Sequence, residues 1–263
     1  YERDFVYRGL TFYTNELYLR SKDGALTKLD LPDGSQKGVV REWLTVELRQ
    51  PWSIGGKQHK AGSLLAIKLD DFLAGKRDFS VMFAPSDNTS LASSGATKDY
   101  FFINVLEDVK NRIYVLTPGK NGWKREPLVG APAFGTVSIS AVDADESNDY
   151  FMTVTDYLTP TSLLMGSIGK APEKLKQLPA FFDASAYQIN QHFATSKDGT
   201  KVPYFLVRAK DVKLDGSNPT LLYGYGGFEI SLTPGYSGGM GRAWLDKGGV
   251  YVVANIRGGG EYG

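Results

Sequence analysis

The 263-residue sequence carries 30 Lys+Arg against 29 Asp+Glu, a formal charge of +1, two His and no Cys. Disulfide scaffolds and thiol nucleophiles are excluded, and His59 and His192, far apart in the chain, are too few to build the usual Cys/His zinc site. Near-neutral charge offers no clustered basic surface for nucleic acid, and no apolar run approaches the roughly 20 residues that span a bilayer, so neither is expected as a partner. The opening residues Tyr1-Glu2-Arg3-Asp4 do not resemble a secretory signal and leave the compartment, cytoplasmic or periplasmic, unassigned.

With 13% aromatic residues, 30 Gly and 12 Pro, the composition leans towards short strands joined by tight turns. In chain order, Glu16–Arg20 and Leu26–Leu29 alternate on either side of Asp23-Gly24 and predict a hairpin. Strands are expected at Glu42–Leu48, Ser63–Leu69 and Phe79–Phe83, with Gly55-Gly56 breaking the first gap and a helical turn around Asp70–Leu73. The same rhythm continues through Tyr100–Val105, Arg112–Leu116, Trp123–Leu128, Thr136–Ser140, Tyr150–Thr155 and Ser162–Ser167.

Two stretches can be laid over each other at an offset of 50 residues: KDYFFINVLEDVKNRIYVLT from Lys98 and NDYFMTVTDYLTPTSLLMGS from Asn148. Each has an aromatic strand, a polar turn and a second apolar strand. A period of about 40 to 50 residues with some four strands per unit is the mark of propeller blades. A twisted β-sandwich with accidental similarity is the competing reading. About four blades fit into the first 180 residues, fewer than a closed propeller needs.

After about Ala180 the pattern changes. Tyr187–Asp211 holds two alternating strands around Asp198-Gly199, while Asn218–Phe228 and Gly249–Ile256 are near-continuous apolar strands of the kind buried on both faces of a parallel sheet. Arg242–Lys247 is expected to be the helix between them, closed by Gly248-Gly249. The fold class is therefore mainly β followed by α/β: propeller blades over 1–180, then an incomplete α/β domain over 181–263.

Three glycine-rich motifs fall in this last part. Gly258–Gly263 fits G-x-G-x-x-G directly after a strand, which would bind a dinucleotide; the alternative is a tight turn that needs positive φ. Gly235–Gly239 fits the G-x-S-x-G nucleophile elbow, but Thr233-Pro234 stands where a central strand should precede Ser237. Ser237 reads better as a loop residue or helix cap, and His192 as a polar histidine at a strand edge. Tyr223–Phe228, YGYGGF, ends an apolar strand, where hydrolases place an oxyanion donor and a tyrosine hydroxyl is a competent one. An aromatic-glycine turn that packs an interdomain seam fits the same residues equally well.

The segments LLYGYGGFEISLTPGYS and GGVYVVANIRGGGEYG resemble the prolyl oligopeptidase family of serine peptidases, in the same order and at similar spacing. The resemblance is strong over Tyr187–Gly263, and the preceding blade-like strands agree with it, since that family places a propeller before its α/β-hydrolase domain. It implies that Tyr225 donates to the oxyanion and that Phe228 lines the pocket for the residue before the scissile bond, usually proline. Arg257 and Gly258–Gly260 match a structural segment that shapes the approach to the site. In the family the nucleophilic serine, aspartate and histidine come later than ANIRGGGEYG, so the chain is expected to be a piece of a longer enzyme and inactive alone. Short proline-containing peptides are the implied partners of the whole enzyme, with the remainder of the same polypeptide, and no cofactor or metal is implied. The alternative is a propeller-type peptide-binding module without catalysis.

Overall fold

A computed structural model of the chain describes residues 3–120 and 122–263. These fall into two compact units, Tyr1–Ser86 with Thr117–Lys124, and Asp87–Leu116 with Arg125–Gly263.

In the first unit β1 (Asp4–Gly9), β2 (Asn15–Arg20) and β3 (Leu26–Lys28) form an antiparallel three-stranded sheet. The β2–β3 turn is the one expected at Asp23-Gly24, where Gly24 takes φ +86° and its N–H donates to the Ser21 carbonyl at 2.9 Å. A second sheet follows. Its strands are β4 (Gln36–Val40) and β5 (Trp43–Glu47), then, after a small hairpin of β6 (Trp52–Ile54) and β7 (Lys57–His59), β8 (Leu64–Lys68) and β9 (Ser80–Phe83). The short helix α1 (Leu69–Leu73) links β8 to β9 where a helical turn is expected. Alternation along β5 sends Leu44 and Val46 inward against Leu65, Phe72 and Phe79, so the period of two seen in the sequence builds the core directly.

The second unit contains most of one four-stranded sheet of sequential strands, whose Thr117–Lys124 portion is counted in the first unit, and the whole of another. The first is β10 (Thr89–Ala96), β11 (Phe101–Glu107), β12 (Lys110–Gly119) and β13 (Gly122–Pro127); the second is β14 (Thr136–Ala141), β15 (Asp149–Thr155), β16 (Ser162–Ser167) and β17 (Glu173–Gln177). The 50-residue repeat is structural, because β11–β12 and β15–β16 are the second and third strands of their respective sheets. Separate four-stranded meanders of this kind are propeller blades rather than the two facing layers of a sandwich.

Buried amides tie the two blades together. Asn104 Nδ2 donates to the Val137 carbonyl at 2.8 Å, Asn111 Nδ2 to Asn104 Oδ1 at 2.7 Å, and the Val137 N–H to Asn111 Oδ1 at 3.1 Å. At the opposite end of β11, Asn148 accepts from the Thr97 hydroxyl and the Asp99 N–H and donates to the Asp99 carboxylate.

The α/β part of this unit is a sheet of β18 (Tyr187–Thr195), β19 (Lys201–Ala209), β20 (Thr220–Tyr223) and, after the helix α2 (Gly238–Ala243), β21 (Val250–Ala254). Its order is β18-β19-β21-β20; only β20 and β21 run parallel, and β18, β19 and β21 alternate in direction. The two apolar runs pair in parallel as read, but β20 is not covered on both faces. β20 lies at the edge, pairs with β21, and leaves Leu222 67% exposed. An unbroken apolar run records that a strand suits two covered faces; it does not supply the elements that cover them.

The helix also differs from expectation. It begins at Gly238, with Ser237 as its N-cap accepting from the Met240 N–H at 3.2 Å, and Leu245–Lys247 is a separate 3-10 turn ended by Gly248 at φ +85°. The cap role of Ser237 and the glycine stop are as read from the sequence. The glycine-rich first turn is kept because a Cβ on Gly241 would run into the Phe182 ring, so close approach outweighs helix propensity. Strands β1, β4, β6, β7, β10 and β17 were not legible. The Glu-Lys-Leu-Lys-Gln of β17 is exposed throughout and β10 is rich in Ser and Ala, so neither carries an apolar stripe.

Candidate functional site

The parallel pair β20 and β21 brings its two following loops to the same, carboxyl end of the sheet, where open α/β sheets place their ligand sites. These loops are YGYGGF and RGGGEYG, and they interlock through their glycines. Gly226 has φ +63° and a Cβ there would overlap the Arg257 carbonyl oxygen; Gly258 has φ +92° and is pressed against the Gly226 carbonyl. Gly260 in turn packs against the carbonyl of Glu229, whose N–H donates to the Gly258 carbonyl at 3.1 Å.

Between these contacts Phe228 and Glu229 both adopt left-handed backbone, φ +53° and +56°. Non-glycine residues there cost about 1 kcal/mol or more each and persist only where the surroundings dictate the conformation. The result is an outward-facing aromatic pair: Tyr225 is 45% exposed with its ring lying along Gly227, and Phe228 is 66% exposed.

A buried carboxylate closes the loop assembly. Glu261, 3% exposed, accepts at Oε1 from the Leu232 N–H and from Asn255 Nδ2, both at 2.9 Å, and the same Asn255 amide nitrogen donates to the Leu232 carbonyl at 2.9 Å. Two further contacts join this turn to the first blade of the unit: the Ser90 hydroxyl donates to the Glu261 carbonyl at 2.9 Å, and the Tyr262 hydroxyl to Asp108 at 3.2 Å. Burial, and then the Asp108 charge, raise the Tyr262 phenol pKa above its ordinary value.

Arg257 holds the β18–β19 turn, donating to both Asp198 carboxylate oxygens at 2.8 and 2.6 Å. Asp198 is held down to about 2, chiefly by the Thr200 N–H and hydroxyl, with the Arg257 charge adding to them.

Tyr225 and Phe228 are thus gathered on one loop, whereas the other candidates are placed elsewhere. Ser237 is occupied as the cap of α2, and His192 is an exposed residue of the edge strand β18 with its ring against Tyr204. In Gly258–Gly263 the close approach that Gly258 permits is taken by the Gly226 backbone, which favours the tight-turn reading over a pyrophosphate cradle. Sequence reasoning missed Glu261 and Asn255. A single acid within a glycine run gives no sign that it will be buried.

The chain thus joins blades to an α/β sheet with a tyrosine-bearing glycine loop at the carboxyl end of its parallel strands. No family model matches the chain. Its whole length is 40% identical to part of an uncharacterized peptidase of Sinorhizobium fredii, covering 37% of that protein. Over 62% of its length it is 39% identical to a prolyl endopeptidase of Elizabethkingia miricola, covering 23% of it. Among solved structures, a post-proline cleaving enzyme from Rickettsia typhi superposes on 99% of the chain at TM-score 0.86 and 30% identity, using 39% of that enzyme.

The likeness to prolyl oligopeptidases read from two motifs therefore extends over the entire chain, and it is a likeness to serine peptidases. The chain spans about 37% of the length of the first curated relatives it matches. Among the described residues no helix is long and apolar enough to cross a membrane.

Proposed function

We propose that the chain supplies the oxyanion-binding loop and part of the substrate pocket of a serine peptidase that cleaves short peptides after proline by acyl-enzyme chemistry, with the blades gating access. Residues 1–180 are the propeller portion and 181–263 the opening portion of the hydrolase domain. The observation that carries this reading is the pair formed by Tyr225 and Phe228, a phenol and an aromatic face held outward on one glycine-braced loop at the carboxyl end of the parallel strands.

The division of labour follows from the chemistry. Attack on the scissile carbonyl places negative charge on its oxygen, and a pre-aimed phenol hydroxyl from Tyr225 stabilises that charge without reorganising solvent. Phe228 offers its face to a pyrrolidine ring, an apolar contact that fixes the residue before the cut. Ser237 and His192 have other roles, so the nucleophile, base and orienting carboxylate come from outside this chain, which is inactive by itself.

The test has two arms. The purified chain alone should leave a proline-containing fluorogenic peptide uncut. In a polypeptide extended to the length of the relatives, Tyr225→Phe should lower kcat by about a hundredfold with little change in KM. An unchanged kcat would remove Tyr225 from the reaction, and turnover by the chain alone would overturn the division of labour.

A further inference from the structure

We propose that Glu261 is a positioning residue for this site: its buried carboxylate holds the two glycine loops in register and so fixes Phe228 and Glu229 in their left-handed conformation. The inference rests on the reading of Phe228 as a pocket residue and adds to it the group that sets where the ring stands.

The argument begins with the strain. Two consecutive non-glycine residues at φ +53° and +56° relax towards ordinary backbone unless contacts on both sides prevent it. On the entry side the constraint is steric, Gly226 wedged between Arg257 and Gly258. On the exit side the Ile230 N–H closes the turn onto the Gly227 carbonyl at 3.1 Å, and the anchor that ties this turn to the second glycine loop is Leu232, whose N–H goes to Glu261 Oε1 and whose carbonyl receives Asn255 Nδ2. Both halves of the Leu232 backbone are therefore held by a carboxylate and an amide that also bond to each other.

Asn255 is itself anchored, its N–H donating to the Pro203 carbonyl of β19 at 3.0 Å, so the clamp refers the loop to the body of the sheet. Glu261 reaches this position because Gly259 has no side chain; a Cβ there would collide with the carboxylate. A charge buried to this degree is costly unless every partner is in place, and hydrogen bonds to a carboxylate are roughly twice as strong as neutral ones. Removing the carboxylate releases the Leu232 N–H and takes one acceptor from Asn255 Nδ2, which loosens the clamp on the exit from the strained pair. Glutamine keeps the Oε1 acceptor and should keep the geometry.

NMR of the chain as it stands tests this. Positive φ brings each residue's own amide and Hα protons close together, so Phe228 and Glu229 should each give a strong intraresidue amide–Hα NOE. Glu261→Ala should lose both NOEs while blade resonances such as those of Ile103 and Met152 stay in place, and Glu261→Gln should retain them. Both NOEs persisting in a folded Glu261→Ala chain would overturn the proposal. If that variant does not fold, amide exchange in the unaltered chain decides. Leu232 should be protected by roughly a hundredfold or more, as befits a buried hydrogen bond, and exchange at the rate of a free amide would overturn the clamp. These readouts do not involve turnover, so loss of the oxyanion assignment through Tyr225→Phe kinetics would leave them untouched.

Discussion

Gly226 and Gly258, 32 residues apart in the sequence, meet backbone to backbone, each in a conformation with positive φ and each with no room for a Cβ because of the other's loop. The contact turns two motifs into one site. A methyl group on Gly258 would have to displace the Gly226 carbonyl as well as tolerate φ +92°. Gly258→Ala should destabilise the chain by about 3 kcal/mol or more. A urea unfolding curve with an unchanged midpoint would contradict the interlock.

The inter-blade amide network is expected to be equally unforgiving. Asn111 both donates to Asn104 and accepts from the Val137 N–H in a buried setting, so Asn111→Ala strands two partners at once. A loss of about 2–4 kcal/mol follows, compared with less than 1 kcal/mol for an exposed polar residue such as Ser94. Thermal unfolding of the two variants side by side gives the comparison.

Tyr150 presents the opposite case. It is fully buried, yet its hydroxyl has no hydrogen-bond partner among the described residues, and burial raises the phenol pKa. Tyr150→Phe removes a desolvated polar atom and keeps the ring against Val137 and Met152. Stability should be unchanged or improved by about 1 kcal/mol; a clear drop in melting temperature would mean that the hydroxyl is satisfied in solution.

Acid should open one end of the site before the rest. Asp198 has its pKa lowered from 3.8 to about 2 in the folded chain, so its contribution to the β18–β19 turn is complete above 3.8 and lost as pH falls through about 2. As the pH falls through about 2 the Thr200 amide and the Arg257 contact should be released, seen as a loss of protection at Thr200 relative to its intrinsic exchange rate between pH 4 and a pH below 2. Asp198→Asn should remove this pH dependence without changing the pattern at pH 7. The pair is exposed, so the effect is local.

How much of this was legible depends on whether the information is local. Strand β5 was readable because Leu44 and Val46 alternate with polar neighbours, and the Asp23-Gly24 turn because glycine takes φ +86° freely. The helix α2 was misplaced by several residues because its glycines answer to Phe181 and Phe182, more than 50 positions earlier in the chain. Tyr225 and Phe228 could be named as candidates from their motif, but no local rule gives their exposure or the strained backbone that sets it.

The sequence by itself determined the order of blades and α/β strands, the 50-residue repeat and the likeness to prolyl oligopeptidases, since periodicity, turn chemistry and long motifs are all written along the chain. Tertiary structure alone decided that β20 pairs in parallel with β21 beyond α2, that the two glycine motifs are halves of one loop assembly, and that Glu261 is its buried brace. Those are relations between segments tens of residues apart. They exist only once strand pairing has brought the segments together, because the energy of a close glycine contact or a buried carboxylate depends on the partner across the gap rather than on the residue's neighbours in sequence.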